Sequence, residues 1–160
     1  TAGNDLEKHS LMQYFRLVIL SLILMTICSS AQAGTDAFGL LLGDPTALSY
    51  KRAVGNLEAW DAALGWGAPA YNLHIHADYL WQNPRGLTTP YGRISGFYGV
   101  GAMLRLGTLL NLGARFPLGV EFMWQGTPIG ISFEFAPVVS LAPGISVITA
   151  QGLGIRYYLP

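Results

Sequence analysis

Between residues 110 and 124 the chain alternates residue by residue. One parity carries Leu110, Leu112, Ala114, Phe116, Leu118, Val120, Phe122 and Trp124; the other carries Asn111, Gly113, Arg115, Pro117, Gly119, Glu121 and Met123. A period of two is that of a β-strand, whose successive side chains point to opposite faces. A half-buried strand of a soluble domain rarely keeps this up so long. A tilted strand that crosses a bilayer needs about 9–11 residues plus its ends.

The same pattern, broken by Gly, Pro, Asn and Asp, recurs along the chain and gives eight segments in all: 37–43, 46–53, 57–67, 71–81, 96–107, 110–124, 129–141 and 145–159. In the seventh, Ile129, Ile131, Phe133 and Phe135 oppose Gly130, Ser132, Glu134 and Ala136. In the eighth, Ile145, Val147, Leu153, Ile155, Tyr157 and Leu159 oppose Ser146, Ala150, Gly152, Gly154, Arg156 and Tyr158, with Gln151 an exception on the apolar face. No helical periodicity of useful length competes with this reading.

The chain is 51% hydrophobic and only 11% charged, against roughly 25% charged in soluble domains. Its formal net charge is zero, which argues against nucleic acid as a partner. Such a composition suits lipid, yet the one long apolar run lies near the N-terminus. Backbone groups in lipid must be satisfied internally, so the remainder is expected to close on itself. The expected fold is all-β: an eight-stranded antiparallel up-and-down transmembrane β-barrel, preceded by a cleavable signal-peptide helix.

The N-terminal segment reads as an address. Met12 fits as its start, Arg16 supplies the positive charge, and an apolar stretch covers residues 17–27. Ala31-Gln32-Ala33 is an A-x-A cleavage site, so the mature chain is expected to begin at Gly34. The apolar stretch is short of the roughly 20 residues a spanning helix needs. Residues 1–33 are thus expected to be extension and signal peptide, and 34–160 the barrel. The sole cysteine, Cys28, would leave with the signal, so no disulfide is expected.

Eight strands leave an interior just wide enough for side chains. The small and charged parity fits there, and the bulky apolar parity is left for lipid. Aromatic positions agree: Phe38, Trp60, Tyr79, Trp81, Tyr98, Phe122, Trp124 and Tyr157 gather at the rim that holds the chain ends, as an interfacial girdle would. Trp66 and Tyr71 mark the opposite rim. A three-residue turn at Val54, Gly55 and Asn56 would set Arg52 opposite Glu58 on the outer face. Pro117 and Pro137, which cannot donate ladder bonds, fall on adjacent strands and predict a bulge or an opened ladder near Phe116 and Ala136.

Three stretches carry a resemblance: Gly39-Leu40-Leu41-Leu42-Gly43-Asp44-Pro45-Thr46-Ala47-Leu48-Ser49, then Leu73-His74-Ile75-His76-Ala77-Asp78-Tyr79-Leu80-Trp81, then Gly154-Ile155-Arg156-Tyr157-Tyr158. The chain resembles a family of small bacterial outer-membrane β-barrels of unknown function, similar in architecture to the OmpA-type transmembrane barrel. Gly154, Tyr157 and Leu159 also resemble the C-terminal sorting signal read by the barrel-assembly machinery, although the chain ends in Leu159-Pro160 instead of an aromatic residue. The resemblance implies a location in the outer membrane and no known activity.

Inward positions collect Lys51, Arg105, Arg115 and Arg156 with Asp61, Asp78, Glu121 and Glu134. Buried charges need partners, so these eight are expected to form a neutral network packing the interior. The function that fits is a structural or interaction-type outer-membrane barrel, its partners being outer-membrane lipid, the export and assembly machinery and an unknown periplasmic protein. A narrow channel for ions or small solutes is the alternative. A soluble periplasmic ligand-binding barrel would need the faces reversed, against the bulk of Phe116, Phe122, Trp124, Phe133 and Phe135. His74, His76 and Asp78 are weak metal candidates, since same-face residues lie nearly 7 Å apart along a strand; no metal or cofactor is assigned. A lipid-modifying enzyme would need a nucleophile beside a base. Ser49, Ser132, Ser140 and Ser146 qualify by residue type alone, so no catalytic residue is named.

Overall fold

Ten strands, all antiparallel, follow one another: β1 (Asp36–Gly43), β2 (Ala47–Ala53), β3 (Glu58–Ala68), β4 (Tyr71–Gln82), β5 (Leu87–Thr89), β6 (Gly92–Gly107), β7 (Leu110–Arg115), β8 (Leu118–Trp124), β9 (Ile129–Ala142) and β10 (Ser146–Tyr158). This computed structural model describes residues 36–43, 46–68, 71–83 and 85–159, without the side chains of residues 67–68 and 71–72. The apolar N-terminal segment and the Ala31, Ala33 and Gly34 cleavage site lie outside the described residues. Among those described there is no helix.

The sheet closes on itself. β10 pairs with β1, and β7 and β8 lie end to end between β6 and β9, so the wall is a ring of eight strands. Following partners once around from Phe38 leads through Tyr50, Ala62, Ala77, Ala102, Ala114 and Val139 to Val147. The residue facing Phe38 across the closing seam is Tyr157. The circuit therefore slips ten residues (157 − 147), a stagger that tilts the strands of a closed sheet by roughly 35–45°.

Alternation governs burial all round the ring. Leu112, Leu118, Phe133, Ile155 and Tyr157 are exposed on the outside, while Arg105, Arg115, Glu121, Glu134 and Arg156 are buried inside. The interior also holds large apolar side chains. Leu80 and Phe97 cluster with Ala59, Leu41 clusters with Ala47 and Ala63, and Met103 and Val138 are buried as well. The expected polar interior is thus corrected to one in which apolar clusters accompany the charges.

The prolines interrupt the sixth strand of the ring without shifting it. Arg115 faces Val138 and Leu118 faces Phe135, so Phe116 and Pro117 fall opposite Pro137 and Ala136 in one unbroken register. The Phe116 N–H donates to Pro137 O at 2.9 Å and the Gly99 N–H to Pro117 O at 2.8 Å. Each proline accepts a ladder bond and returns none, because it has no N–H. The ladder opens as expected, but the bulge does not occur there; the register shifts instead between Leu112 and Gly113.

Two further expectations are corrected. The β2–β3 register sets Ala53 opposite Ala59 and Arg52 opposite Trp60, so Arg52 does not face Glu58. It lies 3.7 Å from Asp36 of β1. The stretch left between the expected segments 71–81 and 96–107 is also stranded: β5 folds back onto β6, Leu87 facing Ile94 and Thr89 facing Gly92.

Candidate functional site

The ring encloses groups of hydrogen-bonded charges drawn from six of its strands, β7 and β8 counted as one. Toward the end where the first and last described residues, Asp36 and Leu159, meet (the terminus end), Lys51 Nζ of β2 donates to Glu121 Oε2 of β8 at 2.7 Å. The hydroxyl of Tyr158 donates to the other oxygen of the same carboxylate. Arg156 of β10 donates to Asp61 Oδ2 of β3 at 2.6 Å, to Ser49 Oγ at 2.9 Å and to Ser132 Oγ at 3.3 Å. Deeper along the ring, Arg115 of β7 donates through Nε to Asp78 Oδ2 of β4 at 2.8 Å, and through Nη2 to Glu134 of β9. All of these side chains except the half-buried Tyr158 are less than a tenth exposed.

Glycines opposite the charges make the room for them. Gly101 faces both Asp78 on β4 and Arg115 on β7. A Cβ at Gly101 would collide with Asp78 Oδ1 and the Ala77 carbonyl oxygen. At Gly101 the lack of a Cβ is therefore a packing requirement of the Asp78–Arg115 pair, while at Gly119 and Gly152 it makes room for Phe97 and Leu41.

At the far end of the network a relay has a fixed direction. Arg105 Nε donates to His74 Nδ1 at 3.0 Å, and His74 Nε2 lies 2.9 Å from His76 Nδ1. A guanidinium can only donate, so His74 is neutral with its proton on Nε2, and that proton goes to His76 Nδ1. Neutral His76 then carries its own proton on Nε2, which faces Asp78 Oδ2 at 3.9 Å.

This relay bears on the metal question. His76, Asp78 and Glu134 bring donor atoms within 4.8 Å of one another, a grouping that differs from the sequence candidates His74, His76 and Asp78 by reaching across to β9. A cation there would need a ring lone pair that the relay already uses. It would also have to share both carboxylates with the Arg115 guanidinium. The space beside His74, His76, Arg115 and Glu134 is about 10 Å³, the limit for one water. The residues present do not fit a metal.

The serines singled out by type are engaged elsewhere. Ser49 and Ser132 bind Arg156, and the Ser140 hydroxyl binds Asn111 Oδ1 and Ala142 O. Ser146 is exposed.

The interior widens at the terminus end. A polar recess of about 310 Å³ opens there among Asn56, Gln82, Asn83, Arg93 and Ser95, and its floor is the Lys51–Glu121 pair and Tyr158. Around the outside of the same end, aromatic rings touch in sequence. Trp60 meets Tyr79 at 5.1 Å between centroids, Tyr79 meets Trp81 at 5.1 Å, and Trp81 stacks on Tyr98 at 5.7 Å. Phe122 meets Trp124 at 4.9 Å. Phe38 faces Tyr157 across the seam and touches Tyr50 at 4.9 Å. Tyr50 was missed as a member of this band, although it shares the parity of Leu48 and Arg52. Its hydroxyl donates to Asp36 Oδ1 at 2.8 Å. Trp66, 57% exposed, stands toward the opposite rim.

No protein-family model, curated protein or solved structure matches the chain.

Proposed function

We propose that the chain is a bacterial outer-membrane β-barrel of structural or interaction type, with an interior packed shut by ion pairs. The observation that carries this reading is the inverted polarity of the wall. Phe133, Leu118, Leu112 and Ile155 are each more than two-fifths exposed, while Asp61, Asp78, Arg115 and Arg156 are at most 3% exposed. In water that arrangement sets apolar surface against solvent and charges in the core; in a bilayer it sets both in their proper medium. The band of aromatic rings at one level supports the same reading, as an interfacial girdle.

Under this proposal the N-terminal residues serve export and are removed before Gly34. Gly154, Tyr157 and Leu159 serve recognition by the assembly machinery. The terminus-end recess faces the periplasm and offers amide, hydroxyl and guanidinium groups to a partner there. The closed ion-pair floor favours this role over a narrow channel, and the outward apolar wall favours it over a soluble ligand carrier.

Cell fractionation with a heat-modifiability gel tests the proposal. The expected result is recovery in the detergent-resistant outer-membrane fraction, with different migration before and after boiling. Recovery in the soluble periplasm overturns it.

A further inference from the structure

The aromatic belt at the terminus end parts between β2 and β3. Tyr50 of β2 faces Phe38 of β1 on one side and Ala62 of β3 on the other. Its ring touches Phe38 at 4.9 Å and its hydroxyl donates to Asp36 Oδ1 at 2.8 Å, so the side chain leans toward β1. Trp60 of β3 leans the opposite way, its ring meeting Tyr79 of β4 at 5.1 Å. Among the described residues no ring contact joins the Phe38–Tyr50 group to the Trp60–Tyr79 group. Ala62 lies between them, and its partner on β4 is Ala77, so the small side chains leave the gap open.

A hollow of about 710 Å3 results on the outer face, over Gly39 and Ala62 and walled by Leu40, Leu48, Leu64 and Ile75. Sites for small ligands span about 300–1,000 Å3. Leu48, Leu64 and Ile75 form the row next to Tyr50 and Ala62 on the side away from the terminus end. The hollow therefore runs from the level of the belt into the apolar wall. Two opposite charges stand at its mouth. Arg52 and Asp36 face each other across β2 and β1, 3.7 Å apart, with side chains 35% and 30% exposed. Arg52 is two residues beyond Tyr50 and directly opposite Trp60, between the parted rings.

We infer that the hollow holds one acyl chain of a zwitterionic phospholipid, with the headgroup phosphate on Arg52 and the ammonium on Asp36. The inference rests on the outer-membrane reading above and names a lipid for one place on that wall. The chain fills the space that Tyr50 and Trp60 leave between them, and the headgroup stands at the level of the belt, where a guanidinium keeps its charge in the polar layer. A zwitterion matches the ion pair sign for sign, whereas a headgroup with a net negative charge sets its phosphate beside Asp36 with nothing to offset the repulsion. A helix or a second barrel seated on the hollow would dry Arg52 and Asp36 without offering either a new partner, which is costly for buried charges.

Native mass spectrometry tests it. The full chain is refolded into vesicles of phosphatidylethanolamine and phosphatidylglycerol in equal parts, its heat-modifiable migration is checked, and it is released in mild detergent. The expected result is one phosphatidylethanolamine retained in preference to phosphatidylglycerol. Arg52→Gln is expected to lower that preference by about tenfold, the effect of losing one hydrogen bond to a charged group. Ala62→Leu is expected to abolish retention by filling the hollow. Ala102→Leu, on the same outer face but outside the hollow, is expected to keep it. Equal retention of the two lipids overturns the inference, as does retention that survives Ala62→Leu, or a dimer that retains no lipid. Should Ala62→Leu fail to fold, Arg52→Gln decides alone, and an unchanged preference overturns the inference. Each of these outcomes leaves the outer-membrane reading standing; a chain that does not enter the vesicles overturns that reading and this inference with it.

Discussion

A single guanidinium, that of Arg115, binds Asp78 on β4 and Glu134 on β9, and so ties two strands together across the interior. Removing one partner of a buried ion pair leaves an uncompensated charge, at a cost of about 3–5 kcal/mol. Arg115→Ala is therefore expected to lower the unfolding free energy by roughly that amount. Adding Glu134→Gln is expected to recover part of the loss. Denaturant titrations of the refolded single and double variants measure both.

The same side chain blocks the bore. With Arg115 only 1% exposed and the Lys51–Glu121 pair flooring the recess, planar-bilayer recordings of the unmodified protein are expected to show little or no steady conductance. Arg115→Ala removes a long, fully buried side chain from the interior and is expected to raise conductance. Equal traces from both proteins would place the constriction elsewhere.

Gly101 makes a third prediction. Its Cβ would strike Asp78 Oδ1 and the Ala77 backbone, and overpacking of this kind costs about 1–3 kcal/mol. Gly101→Ala is expected to shift the unfolding midpoint down accordingly. Gly144 supplies the control, since nothing lies within 4 Å of a Cβ placed there, and Gly144→Ala is expected to be close to neutral. If the two variants melt alike, the collision at Gly101 is relieved without cost.

How much of this was legible in the sequence follows from what a period of two can and cannot say. Parity told inside from outside even through the proline break, because Arg115, Phe116 and Pro117 keep their alternation across it. Registers two residues apart share the same parity, so the β2–β3 turn was misplaced by two and Arg52 was matched to Glu58 instead of Trp60. The eight interior charges were legible as a set but not as pairs. Lys51 finds Glu121 and Arg156 finds Asp61 only because the ring slips ten residues in a circuit. No single strand records that quantity. β5, with three residues, is too short to alternate visibly. Phe97 and Leu80 point inward against the polarity rule because the ends of the interior need apolar filling as well as charge.

The proline break leads to a fourth prediction. Pro117 takes a bond from Gly99 and returns none. In Pro117→Ala a new N–H lies in register with Gly99. Its hydrogen bond contributes about 0.5–1.5 kcal/mol, offset by the greater freedom of the unfolded chain, about 0.4–1 kcal/mol. Stability is expected to stay nearly level while the new amide becomes protected. Hydrogen exchange reads that protection directly; an amide exchanging at the rate of an open loop would mean that the two strands are parted there.

The seam between β1 and β10 sets the order of assembly. Asp36 O accepts the Leu159 N–H at 2.7 Å, so the first and last described residues of the wall meet. Loop-closure entropy makes contacts so distant in sequence slow to form. A nascent chain that has not yet reached β10 presents two raw edges, on β1 and on β9, each a row of unanswered N–H and C=O groups open to foreign strands. Such a precursor stays exposed to foreign pairing until β10 emerges, and a truncation within β10 should do far more harm than its length implies.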